Sequence, residues 1–549
     1  MTGAGTPVCF PAVFLQFERL RNDPGRRWRE HLHRLQFPDG NSPHGLTTSG
    51  SKTTPTMFDR TNKRTTQSPL SPGISSIVTN TLYLLSGQGV QFGVRFLYAI
   101  ILARFLGPHD YGLIAYGTSL YIAVLPLTKL GIEHVVIRAV GCDKAKGREL
   151  LRSSLPMRRT AAFLSAILFC LAATLWENDP QTRLILAFFS LALLGRSFAQ
   201  WNMALFTAYE SNRLSFRLQA IFRPLEVALG LLALAIWRNP LAVVLVHAAI
   251  WWMEAIFGAT LLRKHFSIPR GRWNLEHLKP ILAESLPMCL AMTLISVMSQ
   301  GPLLAFKHIS GAGITAGNVA LAMQVFTILA QLPMAASSAS YPVLSRAIAR
   351  GDGKEVFFVE TMMRVIIFLG TALALLGMTL GPEMTVIVFG EKFTEAGRLV
   401  GTTLWMMIPW AAMNSLMRVQ TARRKINSTL CILAAGVLVF ILGSKPAVDM
   451  FGMQGTVLAG LAGMSVITGC LFVAVARHGN MNIGLAAIRP LGALSVSAFA
   501  SHMMLAHIGP WPALLGSWAV LGISWLALGC MSWKEIETLT GIWRNRKNI

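Results

Sequence analysis

Long apolar segments alternate with short polar segments along most of the chain. A membrane-spanning helix needs about 20 mostly apolar residues, and the apolar segments here reach that length. The pattern therefore predicts an all-α polytopic membrane protein with about 14 transmembrane helices. The predicted spans are 79–105, 111–131, 157–177, 183–208, 216–237, 240–262, 281–306, 316–342, 359–389, 395–417, 426–444, 455–477, 484–508 and 511–532.

The positions of the basic residues test this number of spans. Only Arg238 and Asn239 separate the fifth and sixth segments, so hydropathy alone leaves a twelve-span alternative open. Every second connection, counted from the N-terminal region, carries several Lys and Arg, whereas the connections between them carry few. Cytoplasmic loops are enriched in Lys and Arg. The alternation therefore favours fourteen spans with both termini in the cytoplasm.

A weak repeat of the hydropathy pattern divides the chain into five regions. The first is rich in Arg, Pro, Ser, Thr and Gly and has no apolar signal segment, and Met57 within it is a second candidate start. The predicted regions are a disordered basic cytoplasmic tail (1–73), an N-terminal six-helix lobe (74–264), a cytoplasmic linker (265–280), a C-terminal six-helix lobe (281–478), and two extra helices with a cytoplasmic tail (479–549).

Composition supports the membrane interpretation and excludes several other classes. Of 549 residues, 53% are hydrophobic and 13% are charged, against about 25% charged in ordinary soluble domains. The formal charge of +24 would suggest nucleic acid in a soluble protein, but the basic residues lie in short loops. No P-loop, HExxH or GxSxG motif and no CxxC pair is present. We therefore expect no enzyme, no catalytic residue, no metal, no cofactor and no nucleic-acid partner.

Polar side chains inside several predicted spans are the candidate binding residues. Charge is expensive within a bilayer, so an intramembrane arginine is a functional candidate by default. Arg95 and Arg196 lie near the middle of the first and fourth spans. Guanidinium binds phosphate bidentately, which indicates an anionic substrate in a cationic central cavity. The candidate substrate-binding residues are Arg95, Arg196, Gln88, Gln91, Gln200, Gln300 and Gln324.

The same residues have a structural interpretation, which the sequence leaves open. Polar stripes also hold membrane helices together, and Arg95 or Arg196 would then pair with a carboxylate such as Glu254. Arg223 and Glu226 are expected to form a local pair near the cytoplasmic face. Other basic residues near span ends are expected to extend towards the membrane surface: Arg104, Lys129 and Arg364.

Four short motifs, each at the end of a predicted span, resemble those of one family. They are Leu102-Ala103-Arg104-Phe105-Leu106-Gly107-Pro108-His109-Asp110-Tyr111-Gly112, Leu130-Gly131-Ile132 with Arg138, Tyr341-Pro342-Val343-Leu344-Ser345-Arg346, and Phe389-Gly390-Glu391-Lys392-Phe393. In this order they resemble the span ends of bacterial polysaccharide and O-antigen flippases. These belong to the multidrug/oligosaccharidyl-lipid/polysaccharide exporter superfamily. The chain departs from the family pattern at Lys129 and Gly301, where members often carry an acidic residue.

The resemblance implies a flippase that moves a lipid-diphosphate-linked oligosaccharide across the bacterial inner membrane. Transport would proceed by alternating access, as the two lobes rock around the cationic cavity. The implied partners are the lipid-linked sugar and the bilayer, with a polysaccharide polymerase and glycosyltransferases as further candidates. Three alternatives stay open: a drug or ion antiporter of the same superfamily, a membrane glycosyltransferase or polymerase, and a scaffold without transport activity.

Overall fold

A computed structural model describes most of the chain between its two terminal regions. The described residues are 72–531, apart from 143, 267–268, 270, 274, 312, 336, 338–343, 345–346, 349–353, 424, 478–481 and 483. All but the last two residues of the predicted tail (1–73) lie outside this part, as do most of the 341–346 motif and the final segment from 532 onwards.

Every regular element in the described part of the chain is helical. Short 3₁₀ turns at Glu391–Phe393 and Leu404–Met406 and a π-helical turn at Gly484–Ile488 connect some of the helices. The α-helices are α1 (Pro72–Lys129), α2 (Ile132–Cys142), α3 (Lys144–Trp176), α4 (Pro180–Ala208), α5 (Asn212–Trp237), α6 (Pro240–His265), α7 (Leu275–Ser310), α8 (Ile314–Leu329), α9 (Lys354–Phe389), α10 (Thr394–Thr403), α11 (Met407–Ala422), α12 (Ile426–Phe451), α13 (Met453–Ala476), α14 (Arg489–Ile508) and α15 (Pro510–Ala527).

The helices have the length and apolarity that a bilayer demands. Within the described residues, eleven helices qualify as spans, and the first of them, Ser86–Lys129, contains two predicted spans. The tenth predicted span corresponds to α10 and α11 joined by a 3₁₀ turn, and the fourteenth corresponds to α15. The protein is thus an all-α polytopic membrane protein, as the sequence predicts. Its division into two six-helix lobes stays a prediction.

Helix α1 breaks at Gly107, whose φ of 73° and ψ of 178° are not helical. A straight helix of the 44 residues from Ser86 to Lys129 would extend about 66 Å, roughly twice the hydrocarbon thickness. Side chains from both sides of the break, such as Leu102 and Tyr111, line one cavity. The two segments, α1a (72–106) and α1b (108–129), therefore fold back on each other.

Local sequence signals explain two of the tight connections. Asp179 caps α4 by accepting hydrogen bonds from the Thr182 backbone N–H at 2.8 Å and hydroxyl at 2.6 Å, and these bonds lower the pKa of Asp179. Asn239 caps α6 in the same way, with Pro240 in its first turn. Arg238 before it adopts a left-handed conformation. The predicted turn between the fifth and sixth spans is therefore confirmed.

Large apolar side chains cover the outside of the helices as well as the core. Trp176 is 85% exposed and Leu175 is 79% exposed, and Phe105 and Leu515 are similarly uncovered. Water would penalise so much apolar surface, whereas lipid tails do not. The exposed belt indicates a lipid-facing surface around the buried core.

Helices α1b and α8 approach each other at two glycines. A β-carbon placed on Gly317 would overlap with the carbonyl oxygen of Pro108, and one placed on Gly112 would lie 3.0 Å from the Gly317 Cα. Only residues without a side chain permit this spacing between two backbones. The contact fixes the start of α8 against the start of α1b.

Replacing Gly317 with alanine is expected to destabilise the protein by about 1–3 kcal/mol, because the obstacle is backbone that cannot rotate away. The thermal melting temperature of the purified protein in detergent measures the effect. Gly469 in α13 has nothing within 4 Å of its β-carbon position, so Gly469→Ala is the matched control and should melt like the wild type. A Gly317→Ala variant that melts at or above the wild-type temperature would contradict the predicted clash.

Candidate functional site

A cavity of about 150 Å³ lies between the two segments of α1 and five further helices. It is hereafter called the arginine cavity. Segments α1a and α1b contribute one wall, and α4, α5, α6, α7 and α8 contribute the others. Its wall is amphipathic, with Leu, Ile, Val and Met between a few polar groups. The polar side chains in the wall include Arg95, Glu226, His247, Gln300, Gln324, Thr118, Ser119 and Thr327.

Arg95 differs from Arg196 and Arg223, because no group in the described part of the chain accepts a hydrogen bond from it, although the Glu226 carboxylate lies in the same cavity wall. Its side chain is half-buried in the cavity wall. Within the described part of the chain it makes no hydrogen bond and no ion pair. A guanidinium at this depth needs water, a carboxylate or an anionic ligand around it. The cavity therefore presents five free N–H donors in a planar fork, which is the geometry that binds phosphate oxygens in pairs.

Arg223 is instead enclosed by carboxylates. Its guanidinium donates to Glu226 on its own helix and to Glu254 on α6. The side chains of Arg223 and Glu254 are 1% and 0% exposed. The prediction of a local Arg223–Glu226 pair near the cytoplasmic face is wrong in its position, because α5 begins at Asn212 and places both residues mid-helix. Glu254 pairs with this arginine and not with Arg95 or Arg196.

His247 connects Glu226 to a second arginine. Its Nδ1 lies 2.5 Å from the Glu226 Oε1. The Trp251 indole, which can only donate, points its N–H at the His247 Nε2 over 3.2 Å. The Nδ1 therefore carries the proton and donates it to the carboxylate, with the imidazole neutral. This tautomer is assigned from the hydrogen bonds.

Arg196 closes the same chain of hydrogen bonds from the other end. It donates to the Tyr121 hydroxyl, which lies 3.3 Å from the His247 Nε2. The Arg196 guanidinium is also 5.2 Å from the Tyr121 and Trp251 ring centroids, close enough for cation–π attraction. Arg196 is thus held in the wall behind the cavity, and a ligand in the arginine cavity would not touch it.

Two further contacts join helices beyond one end of the arginine cavity. Lys307 at the end of α7 pairs with Glu177 after α3, and its Nζ lies 4.3 Å from the Tyr116 ring centroid. Arg104 donates to the carbonyls of Val388 and Ile387 at 2.8 and 2.5 Å. Arg104 was expected to extend to the membrane surface, but it holds α1a against the end of α9.

The remaining two span-end residues also have protein partners. Arg364 was expected to extend to the membrane surface, yet it is buried and donates to the Cys530 carbonyl at 2.6 Å. Lys129 forms an ion pair with Glu133 at 3.1 Å. The expectation is wrong for Arg364, because the segment after α15 covers it, whereas for Lys129 it stays a prediction.

The structure separates the predicted site residues into two groups. Arg95, Gln300 and Gln324 share the wall of the arginine cavity. Gln88 is exposed and Gln91 half-buried, and neither lines the cavity. Arg196 lies behind the wall, and the Gln200 Oε1 is buried without a hydrogen-bond partner in the described chain. Gln88, Gln91, Gln200 and Arg196 are therefore outside the arginine cavity.

Glu226 and His247 are cavity residues that the sequence reasoning did not select. Both are ionisable residues in apolar segments, and that signal alone marks candidates for function. The chain lacks an acidic residue at Lys129 and Gly301, but Glu226 on α5 provides a carboxylate in the cavity wall.

Residues 77–348 match the family model described as polysaccharide biosynthesis protein. The match covers just under half of the chain. No curated protein matches the chain by sequence, so similarity in three dimensions supplies the other comparisons.

Solved transporters share the fold of this chain at low sequence identity. One is the lipid II flippase MurJ in an inward closed conformation, at TM-score 0.61 and 11% identity, with 82% of this chain and 98% of that chain covered. Another is an inward-facing multidrug resistance MATE family transporter of the MOP superfamily, at TM-score 0.59 and 11% identity, covering 72% and 98%. The protein therefore has the MOP-superfamily transporter fold.

Proposed function

We propose that this protein is a flippase that moves a lipid-diphosphate-linked oligosaccharide across the bacterial inner membrane. The observation that carries the proposal is the Arg95 guanidinium, which lies in the wall of a cavity within the membrane and has no hydrogen-bond or ion-pair partner among the described residues. The diphosphate of such a lipid cannot cross hydrocarbon unaided. The N–H donors of the Arg95 guanidinium replace the hydrogen bonds that water makes to the diphosphate. The match of residues 77–348 to the family model supports a role in polysaccharide biosynthesis.

The cavity wall suits the two parts of such a headgroup. Arg95 provides donors for the diphosphate, whereas Gln300, Gln324 and Thr327 provide both donors and acceptors for sugar hydroxyls. The apolar residues between them limit the number of fixed contacts, so sugars of different structure can pass. Alternating access then requires the Lys307–Glu177 and Arg104 contacts to open on the far side. The distribution of basic residues among the loops favours an orientation with that side outside the cell and both termini in the cytoplasm.

A transport assay in vesicles tests the proposal. The purified protein is reconstituted with a polyprenyl-diphosphate oligosaccharide that carries a fluorescent label on its sugar, and dithionite added outside bleaches only the outer leaflet. We expect the protein to make the inner-leaflet label accessible, while a labelled phosphatidylcholine stays protected. Bleaching no faster than in empty vesicles, or equal bleaching of both lipids, would argue against a specific flippase.

A drug antiporter is the second candidate, because Glu226 places a carboxylate in the same cavity as Arg95. Such a protein would exchange organic cations for protons in the same vesicles and would leave the lipid-linked sugar in place.

A flippase would have the polymerase and glycosyltransferases of polysaccharide assembly as its partners, since they consume and supply the lipid-linked sugar.

A further inference from the structure

A second polar cavity, of about 190 Å³, lies where α1b meets α2. It is hereafter called the lysine cavity, because Lys129 is in its wall together with Glu133, His134 and Ser296. The Lys129–Glu133 pair is partly buried, and the second carboxylate oxygen of Glu133 is buried without a hydrogen-bond partner in the described chain. An unpartnered buried oxygen costs free energy unless a ligand or water donates to it. The site therefore has a cation for an anionic group and an acceptor for a hydroxyl.

The two cavities lie along the same faces of two helices. On α7 the wall residues recur every three or four positions, and on α1b a series with the same spacing is widened by Ala115, Ser119 and Pro126, so that each set lies on one helix face. The α1b positions run from 111 to 129, about 27 Å of helix against a hydrocarbon core of about 30 Å. The wall residues concerned are Tyr111, Ile114, Thr118, Ile122, Leu125 and Lys129 on α1b, and Cys289, Met292, Ser296, Gln300 and Leu303 on α7.

Ile122 belongs to the walls of both cavities. Its half-buried side chain stands between the polar groups of one cavity and those of the other. An apolar side chain at that place interrupts the polar path without occupying either binding site. Anything polar that moves from one cavity to the other along these helix faces passes Ile122.

We infer that the lysine cavity is a separate binding station for the sugar-diphosphate headgroup, and that Ile122 is the constriction between this station and the arginine cavity. The inference rests on the proposed flippase function. The loop charges place the Lys129 end of α1b towards the cytoplasm, so the headgroup meets Lys129 first. Lys129 then contacts phosphate as a point charge, Glu133 accepts from a sugar hydroxyl, and Arg95 receives the diphosphate after the passage.

Enlarging the constriction residue tests the path. Ile122→Trp should reduce transport of the labelled lipid-linked sugar at least about tenfold, because a large indole fills the passage. Binding of that lipid to inside-out membrane vesicles should persist, although more weakly than in wild type, because the lysine cavity stays accessible from the cytoplasmic side while the Arg95 contact is lost. Leu127 lies on the same segment but outside both walls, 36% exposed, so Leu127→Trp is the matched control and should transport normally.

A second substitution in the blocked protein separates the two stations. In the Ile122→Trp background, Lys129→Gln should weaken binding from the cytoplasmic side about tenfold, since a charge-assisted contact is lost, whereas Arg95→Ala should leave it unchanged. The inference would be overturned if Ile122→Trp transports normally, or if Leu127→Trp loses transport to the same extent. It would also be overturned if binding from the cytoplasmic side depends on Arg95 alone. A wild-type protein that binds the lipid but does not move it would overturn the flippase function and the path together. Transport by wild type that is unaffected at Ile122 would overturn only the path.

Discussion

Arg95→Ala is expected to abolish most transport of the lipid-linked sugar while the protein still accumulates in the membrane. Removing a charge-assisted donor from the cavity loses about 3 kcal/mol, or roughly 100-fold in affinity for the diphosphate. Arg95 has no protein partner in the described chain, so its loss leaves no carboxylate unpaired. Arg95→Lys keeps the charge but loses the bidentate fork, and its transport should fall by about tenfold.

The vesicle assay, together with membrane abundance, measures this result. Gln88 lies on the same segment but is exposed and outside the arginine cavity, so Gln88→Ala is the matched control and should transport normally. If Arg95→Ala transports normally, Arg95 is not in the substrate site. If Arg95→Ala instead fails to accumulate, the residue has a structural role in place of the proposed one.

Arg223→Ala is expected to show the opposite behaviour, a loss of protein stability. The substitution leaves Glu226 and Glu254 facing each other in the interior without their shared cation. Breaking a buried ion pair in this way costs about 3–5 kcal/mol. The melting temperature in detergent and the membrane abundance should both fall clearly below the wild-type values.

Two further variants show whether the charges are the cause. Arg217 lies on the same helix with its side chain exposed, so Arg217→Ala should melt like the wild type. Adding Glu254→Gln to Arg223→Ala removes one of the stranded charges and should recover part of the lost stability. An Arg223→Ala protein as stable as wild type would mean that the pairs contribute nothing to folding.

Local features of the fold were predictable from the sequence because the relevant residues are neighbours in the chain. Asn239 and Pro240 specify the start of α6 wherever the helix lies. The position of a polar residue along a cavity was not predictable. Gln88 shares a helix face with Arg95, yet it lies seven residues, or about 10 Å, further along the axis. The periodicity of polar residues specifies which face of a helix they share. It does not specify how far a cavity extends along the helix axis.

Ion pairs between residues on different helices were also not predictable from the sequence. Arg223 and Glu226 are three residues apart, so their pairing follows from helix geometry. The Glu254 partner comes from α6, 31 residues further along the chain, and only the packing of α5 against α6 selects it over Arg95 or Arg196. The lack of a partner for Arg95 is also a property of packing, since several carboxylates are available in the sequence.

The break at Gly107 has a consequence for biosynthesis. Because no loop separates α1a from α1b, we expect the first two crossings to enter the translocon together as one helical hairpin. Alone in the lateral gate, α1a would present Arg95 to lipid at a cost of about 2.5–3.5 kcal/mol. In the hairpin, Thr118 and Ser119 of α1b line the same space as Arg95, so the guanidinium can retain water there during insertion. The second crossing would therefore provide a polar surface for the Arg95 side chain of the first crossing while both enter the membrane.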